Sequence, residues 1–128
     1  MKQEDKELLL KDLCVRLPYK TYVKTTKGIG YVYAINTSQL IELSVANDSE
    51  YWSEVFNIDE IKPYLRPMSS MTEEEKEEYH KLCDSYYGIY FDTINSIDWL
   101  NKNHFDYHGL IPLGLAIEVT DKNNLYKD

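Results

Sequence analysis

The spacing of apolar residues predicts a helix at the start of the chain. Over residues 4–17, apolar side chains recur every three or four positions, as on one face of a helix: Leu9, Leu10, Leu13, Cys14 and Leu17. Pro18 follows and ends the helix, because proline lacks the N–H that a helix interior needs. On this stripe Cys14 is expected to behave as a small buried hydrophobe.

The period changes to two at Tyr19, which is typical of β-strands. Lys27-Gly28 predicts a tight turn between the first two strands, and further strands are expected over 40–45, 51–58 and 64–66. Asp59 is the expected cap of a single helical turn between the last two. Turn signals recur about every ten residues, and this predicts an SH3-like barrel over 18–67 or an open antiparallel meander packed on the first helix.

The pattern becomes helical again after residue 68. Thr72 followed by Glu75 forms the capping-box pattern, and apolar residues at helical spacing lead to Gly88, a natural terminator. A third, short helix is expected with Ser96 as its cap. Asp106 is expected to cap one more turn, and the polar C-terminal tail is expected to fray.

Together these elements predict an α+β fold. It consists of an N-terminal helix, a small antiparallel SH3-like β-barrel or meander, and a C-terminal segment of two to three short helices. The boundary near residue 68 separates a strand-rich subdomain, 1–67, from a helical one, 68–128. Each part is small for independent stability, so we expect a single compact unit, 1–128, with a shared core.

Several runs in the second half form a recognisable pattern: Lys62-Pro63-Tyr64-Leu65-Arg66-Pro67, Ser69-Ser70-Met71-Thr72-Glu73-Glu74-Glu75, Asp98-Trp99-Leu100-Asn101, His104-Phe105-Asp106-Tyr107, Gly109-Leu110-Ile111 and Gly114-Leu115-Ala116. From residue 62 onward the chain resembles a family of uncharacterised small proteins from the genomes and prophage-like mobile elements of gut Bacteroides-type anaerobes. His108 and Pro112 depart from the family pattern, which has arginine and a polar residue there. The resemblance implies a bacterial or phage-related source and no activity.

The charge balance limits the classes of partner. The chain has 22 acidic and 14 basic residues and a net charge of −8, so its surface repels phosphate backbones and anionic lipids. Lys20, Lys24 and Lys27 are the nearest approach to a basic patch, and we interpret them as charges that protect a sheet edge. No stretch approaches the ~20 apolar residues that span a bilayer. We therefore expect a cytoplasmic protein that binds neither membranes nor nucleic acid.

Candidate chemistry is sparse. His104, Asp106 and His108 are residue types that bind zinc, but their spacing matches no recognised motif, and Gly109 argues against one helix through both histidines. We predict no cofactor and retain these three as the metal candidates. His80 and Cys83 lie three residues apart, but Cys83 falls on an apolar stripe, where burial keeps a thiol neutral. The sequence therefore predicts no catalytic residue.

Aromatic residues are abundant, with 12 tyrosines in 128 residues. A small domain cannot bury all of them, and protein interfaces favour tyrosine and tryptophan. The predicted partner-binding residues are Tyr86, Tyr87, Tyr90, Phe91, Trp99 and Tyr107. The alternative is that these rings cover the core.

Three functional hypotheses follow. The first is a non-enzymatic interaction module that presents an aromatic, acidic surface to another protein or to a second copy of the chain. The second is an acidic decoy that imitates nucleic acid and occupies a host protein. The third is a small metal-dependent enzyme that uses His104, Asp106 and His108.

Overall fold

The computed structural model describes residues 1–83 and 93–127, which form an α+β fold. The helices are α1 (Gln3–Arg16), α2 (Glu73–Cys83) and α3 (Thr93–Lys102), and 3-10 turns cover Leu17–Tyr19, Ile58–Glu60 and Met68–Ser70. The strands are β1 (Tyr22–Lys24), β2 (Ile29–Asn36), β3 (Glu42–Asn47), β4 (Trp52–Asn57), β5 (Lys62–Pro67), β6 (Phe105–Asp106) and β7 (Ile117–Glu118). The predicted fold class and the N-terminal helix are confirmed.

The strands form one mixed sheet. Its order is β4-β3-β2-β1-β5-β6, and β7 also pairs with β5. The first five strands pair antiparallel, whereas β6 and β7 lie parallel to β5. Within the described residues β4 and β6 do not pair with each other, so the sheet stays open. A closed SH3-like barrel is therefore not confirmed.

The core lies between α1 and one face of the sheet. Leu9 and Leu13 of α1 are fully buried, and they belong to the same cluster as Val23, Leu43 and Val45. Burying a side chain of this size stabilises the fold by about 1.5–3 kcal/mol. The hydrophobic contact between α1 and the strands therefore holds the first half of the chain together.

The predicted stripe on α1 is wrong in one respect that matters for function. Cys14 is exposed, whereas Asp12 and Arg16 are buried on the same face as Leu9 and Leu13. Residues four apart are neighbours on a helix, so this carboxylate and this guanidinium can pair. A search for apolar periodicity misses them because both are charged.

Two predicted caps are also wrong. Ser96 is buried inside α3, which begins at Thr93, because tertiary packing overrides the preference of serine for helix starts. Asn57 takes the place expected for Asp59: its N–H donates to Glu60 Oε1 at 3.0 Å as part of a capping box. Serine, aspartate and asparagine all cap helices, so the residue type alone does not locate the cap.

The predicted capping box at the start of α2 is confirmed. The Glu75 N–H donates to Thr72 Oγ1 at 3.1 Å, and the Thr72 N–H donates to Glu75 Oε1 at 3.0 Å. This motif is local in sequence, which is why the pattern alone predicts it.

The C-terminal tail returns to the sheet instead of fraying. The Tyr126 hydroxyl accepts a hydrogen bond from the Tyr22 N–H at 3.0 Å and donates one to the Tyr64 carbonyl at 2.7 Å. The expectation of a frayed tail is wrong because one aromatic residue anchors it between β1 and β5. No helix in the described ranges is long and apolar enough to cross a membrane.

Candidate functional site

A groove of about 790 Å³ opens beside β1 and β5, and we call it the basic groove. Its lining comes from the turn before β1, from β1 and β5, from the first turn of α2, from the end of α3 and from the C-terminal tail. The residues that define it are Lys20, Tyr22, Arg66, Lys102, His104 and Tyr126. Segments far apart in sequence therefore meet at one site.

A row of four rings runs from β2 to the basic groove. Tyr31 and Tyr22 meet edge to face with ring centroids 6.4 Å apart, and Tyr22 lies 5.5 Å from Tyr126. Tyr126 stacks on His104 with ring centroids 3.5 Å apart and an interplanar angle of 12°. Aromatic contacts of this kind stabilise by about 0.5–1.5 kcal/mol each beyond their burial. The row fixes the tail and the end of α3 against β1.

His104 combines three unfavourable features. Its backbone is left-handed, with φ of +63°. Burial, together with the charges of Arg16 and Arg66, lowers its pKa from 6.5 to about 4, so the ring is neutral at pH 7. Its Nδ1 atom is buried and has no hydrogen-bond partner in the described part of the chain. Strained and unsatisfied residues are concentrated at functional sites.

The charge of the basic groove opposes that of the chain. Its lining includes four basic residues, Lys20, Arg66, Lys102 and Lys127, and two acidic ones, Glu75 and Asp121. The whole chain carries −8. A concave site with a local excess of positive charge attracts anions even when the net charge is negative.

Arg66 and Glu75 form a clamp at one side of the groove. Arg66 Nη1 and Nη2 donate to Glu75 Oε2 and Oε1 at 2.8 and 2.7 Å, and the guanidinium lies 4.1 Å from the centroid of the Phe105 ring. The bidentate hydrogen bond from Arg66 lowers the pKa of Glu75. The clamp joins β5 to α2 and neutralises Arg66. Lys20 is also paired, with its Nζ 3.8 Å from Asp48 Oδ2, so among the described residues Lys102 and Lys127 carry the free positive charge of the groove.

A buried ion pair supports the segment that carries His104. Arg16 Nε and Nη2 donate to Asp12 Oδ2 and Oδ1 at 2.7 and 2.9 Å, and Nη2 also donates to the Phe105 carbonyl at 2.5 Å. Both charged residues are fully buried. Phe105 follows His104 in the chain, so α1 holds the end of α3 in place through this contact.

Asp12 also accepts a hydrogen bond from His108, whose Nδ1 lies 2.6 Å from Oδ1. Burial by itself would raise the pKa of Asp12, but the hydrogen bonds from His108 and Arg16 outweigh it and lower the pKa. An aspartate and the histidine that it orients are two of the three members of a catalytic triad, and the third member is a nucleophile. Between described residues, the hydrogen bond to Asp12 is the only one that His108 makes. The pair joins α1 to the segment that follows β6.

The three metal candidates have separate partners. His104 stacks on Tyr126, and His108 is bonded to Asp12. Asp106 accepts hydrogen bonds from the N–H groups of Leu110 and Ile111 at 2.8 and 2.9 Å and so caps the following loop. In the ranges that the structure describes, no group of three potential ligands is arranged to hold a metal.

Of the six predicted partner-binding residues, the structure describes two, Trp99 and Tyr107. Tyr86, Tyr87, Tyr90 and Phe91 lie outside the described residues. Trp99 packs between Tyr79 and Phe105, with ring centroids 5.6 and 5.7 Å away. The Tyr107 hydroxyl donates to Asn101 Oδ1 at 2.8 Å, and Arg16 lies over its ring. Both described rings therefore have contacts within the protein.

Sequence reasoning named Lys20 and His104 for other roles and did not predict the basic groove. Lys102 and Lys127 are 25 positions apart, and neither belongs to a basic run. The available signal was Tyr126, an aromatic residue in a tail that is otherwise polar. The pairing of Tyr126 with β1 is what brings the two lysines to one site.

Comparison of the chain with protein-family models, with curated proteins and with solved structures gives no match. The function is therefore argued from the site itself.

We predict that the Asp12–Arg16 pair is strongly coupled. Arg16→Met leaves Asp12 with His108 as its remaining side-chain partner, and Asp12→Leu leaves the buried Arg16 without its carboxylate. Each change breaks the buried pair, which costs about 3–5 kcal/mol of unfolding free energy. The double variant removes both charges and should lose less than the sum. Urea denaturation measures the unfolding free energy of the two single variants and the double variant. Lys76→Met is the control, because the pair of Lys76 with Glu73 is exposed. Single variants no less stable than the control would disprove the coupling.

We also predict that His104 makes stability depend on pH. Its pKa is about 4 in the folded protein against 6.5 as the ordinary value, so the unfolded state binds more protons between these pH values. Stability is then complete above pH 6.5 and falls as the pH decreases towards 4, by at most about 3 kcal/mol. His104→Asn, which tolerates the left-handed backbone, should flatten this slope in urea denaturation series. Equal slopes for the two proteins would contradict the prediction.

Proposed function

We propose that the protein is a non-enzymatic binding module that holds an anionic ligand in the basic groove. The observation that carries the proposal is the local reversal of charge: four basic and two acidic residues line the groove of a chain whose net charge is −8. A cleft that focuses a field of one sign concentrates ligands of the opposite sign. The ring row and the Arg66–Glu75 clamp hold this cleft in shape, which lowers the cost of binding.

Binding is favoured over catalysis because two hydroxyls of the groove lining form hydrogen bonds with nearby backbone groups. The Ser70 hydroxyl donates to the Pro67 carbonyl, and Thr72 Oγ1 accepts from the Glu75 N–H. A nucleophile needs a base within hydrogen-bond reach, and neither hydroxyl is bonded to a histidine. His104, the nearest candidate base, has its Nδ1 atom buried.

Charge reversal tests the proposal. Lys102→Glu with Lys127→Glu should weaken the binding of pyrophosphate and of a hexaglutamate peptide at least tenfold, because the anion then meets repulsion where it met attraction. Isothermal titration calorimetry at low salt measures the affinities, and a hexalysine peptide serves as the cationic comparison.

The matched control is Lys11→Glu with Lys62→Glu, two exposed lysines outside the groove lining. Both double variants change the net charge from −8 to −12. The control should therefore bind within about twofold of wild type if the groove is the site. Equal weakening in the two variants would show that only the overall charge matters and would refute the proposal.

A second candidate function, association with another copy of the chain, is supported by β4. Among the described strands β4 pairs only with β3, so its outer edge is open. Tyr51 before the strand is 93% exposed and Val55 within it is 56% exposed. An open edge with apolar residues is a template for strand pairing, and two antiparallel copies of β4 would satisfy each other about a two-fold axis.

Light scattering after size exclusion tests this association. Wild type should run at twice the chain mass at high concentration, and Val55→Lys should shift it to the monomer because two lysines would face each other across the axis. Leu113→Lys is the control, since Leu113 is 54% exposed and lies outside the sheet. A wild-type protein that stays monomeric would eliminate this candidate.

A further inference from the structure

Two parts of the basic groove offer different chemistry to a ligand. Lys102 and Lys127 line it and form no ion pair with any described residue, so both ammonium groups are available to an anion. Tyr22, Tyr126 and His104 also line it, and their rings contact one another, Tyr22 with Tyr126 and Tyr126 with His104. A ligand that uses both parts carries a negative group and a flat, unsaturated ring.

The rings offer an uncharged surface. His104 is neutral above its pKa of about 4, and burial raises the pKa of Tyr126, so its phenol stays protonated. His104 is half-buried and is among the residues that line the groove. Neutral aromatic side chains are the platforms on which nucleobases stack in proteins.

Polar groups of the groove lining set a second requirement for the ligand. Asn124 Oδ1 accepts from the Tyr126 N–H at 3.0 Å, and Asn103 Nδ2 donates to the Trp99 carbonyl at 2.9 Å. Each amide is thus fixed at one end, and Asp121 adds a carboxylate to the same lining. A carboxylate repels a bare anion but accepts hydrogen bonds from hydroxyl and amino groups. The lining therefore favours a ligand that carries donors as well as a negative charge.

The volume of the groove and the net charge of the chain limit the class of ligand further. A groove of about 790 Å³ is within the range of small-molecule sites and exceeds what an inorganic anion fills. A polynucleotide would extend beyond it over a surface of net charge −8, which repels phosphates. We infer that the basic groove binds a nucleoside monophosphate, with the phosphate at Lys102 and Lys127 and the base against the rings. This inference rests on the proposed anion-binding function.

Calorimetric titration of the full chain tests the inference. The probes are the 5′-monophosphates of adenosine, guanosine, cytidine and uridine, with the matching nucleosides, ribose 5-phosphate and inorganic phosphate as comparisons. At least one nucleoside monophosphate should bind tenfold or more tightly than both its nucleoside and ribose 5-phosphate, because it alone engages the lysines and the rings together.

Two variants separate the contributions. Lys102→Glu with Lys127→Glu should weaken the nucleotide at least tenfold and leave the weak binding of the nucleoside within about twofold. His104→Asn should weaken the nucleotide more than ribose 5-phosphate, since it removes ring surface and keeps the backbone conformation. Circular dichroism confirms that each variant is folded.

The outcomes distinguish the two proposals. If pyrophosphate or hexaglutamate binds in a Lys102- and Lys127-dependent way while nucleotides bind no more tightly than ribose 5-phosphate, the inference is overturned and the proposed function stands. If hexaglutamate binds more tightly than every nucleotide, the inference is likewise overturned, and the ligand is an acidic polypeptide segment. If no anion binds, both are overturned.

Discussion

The buried pair of Asp12 and Arg16 is the contact on which the arrangement of the molecule depends. The cost of removing two opposite charges from water is offset by hydrogen bonds, and here the guanidinium donates twice to the carboxylate and once to the Phe105 carbonyl, while its Nη1 is buried without a partner among the described residues. The carboxylate also accepts a hydrogen bond from His108. One turn of α1 thereby specifies where the segment after α3 lies. A hydrophobic contact could hold that segment, but it would not define its position so narrowly, because apolar packing has no direction.

The same arrangement prepares the basic groove. Arg16 contributes to the low pKa of His104, and Arg66 adds to it while it is bound to Glu75. In the proposed binding function, the lysines attract an anion and the neutral ring supplies an uncharged contact surface. Tyr126 completes this wall by joining the tail to β1 and β5 through its hydroxyl. The groove is therefore built from the contacts that close the fold and does not need a dedicated loop.

Local patterns predicted most elements but not all of their limits. The first helix, the alternating strands and the capping box of Thr72 and Glu75 follow from spacing and from hydrogen bonds between near neighbours. Openness of the sheet was undecided, because closure depends on pairing between strands distant in sequence. Ser96 shows the same limit on a smaller scale: it is a good cap by residue type, yet packing places it inside α3.

The sequence by itself determined the α+β class, the apolar face of α1 apart from Cys14, and the net charge of −8, since these depend on composition and short-range periodicity. Only the tertiary structure decided which polar groups lose their water. From their residue types, Asp12 and Arg16 would be solvated on α1, but in the fold both are buried and Arg16 donates to the Phe105 carbonyl. Tyr126 belongs to a polar tail, but its hydroxyl bonds to the backbone of β1 and β5. Lys102 and Lys127 form a site only because of those contacts. Asp12 and Arg16 are close in sequence, but their further partners, the Phe105 carbonyl and His108, come from distant parts of the chain, and no local pattern encodes those contacts.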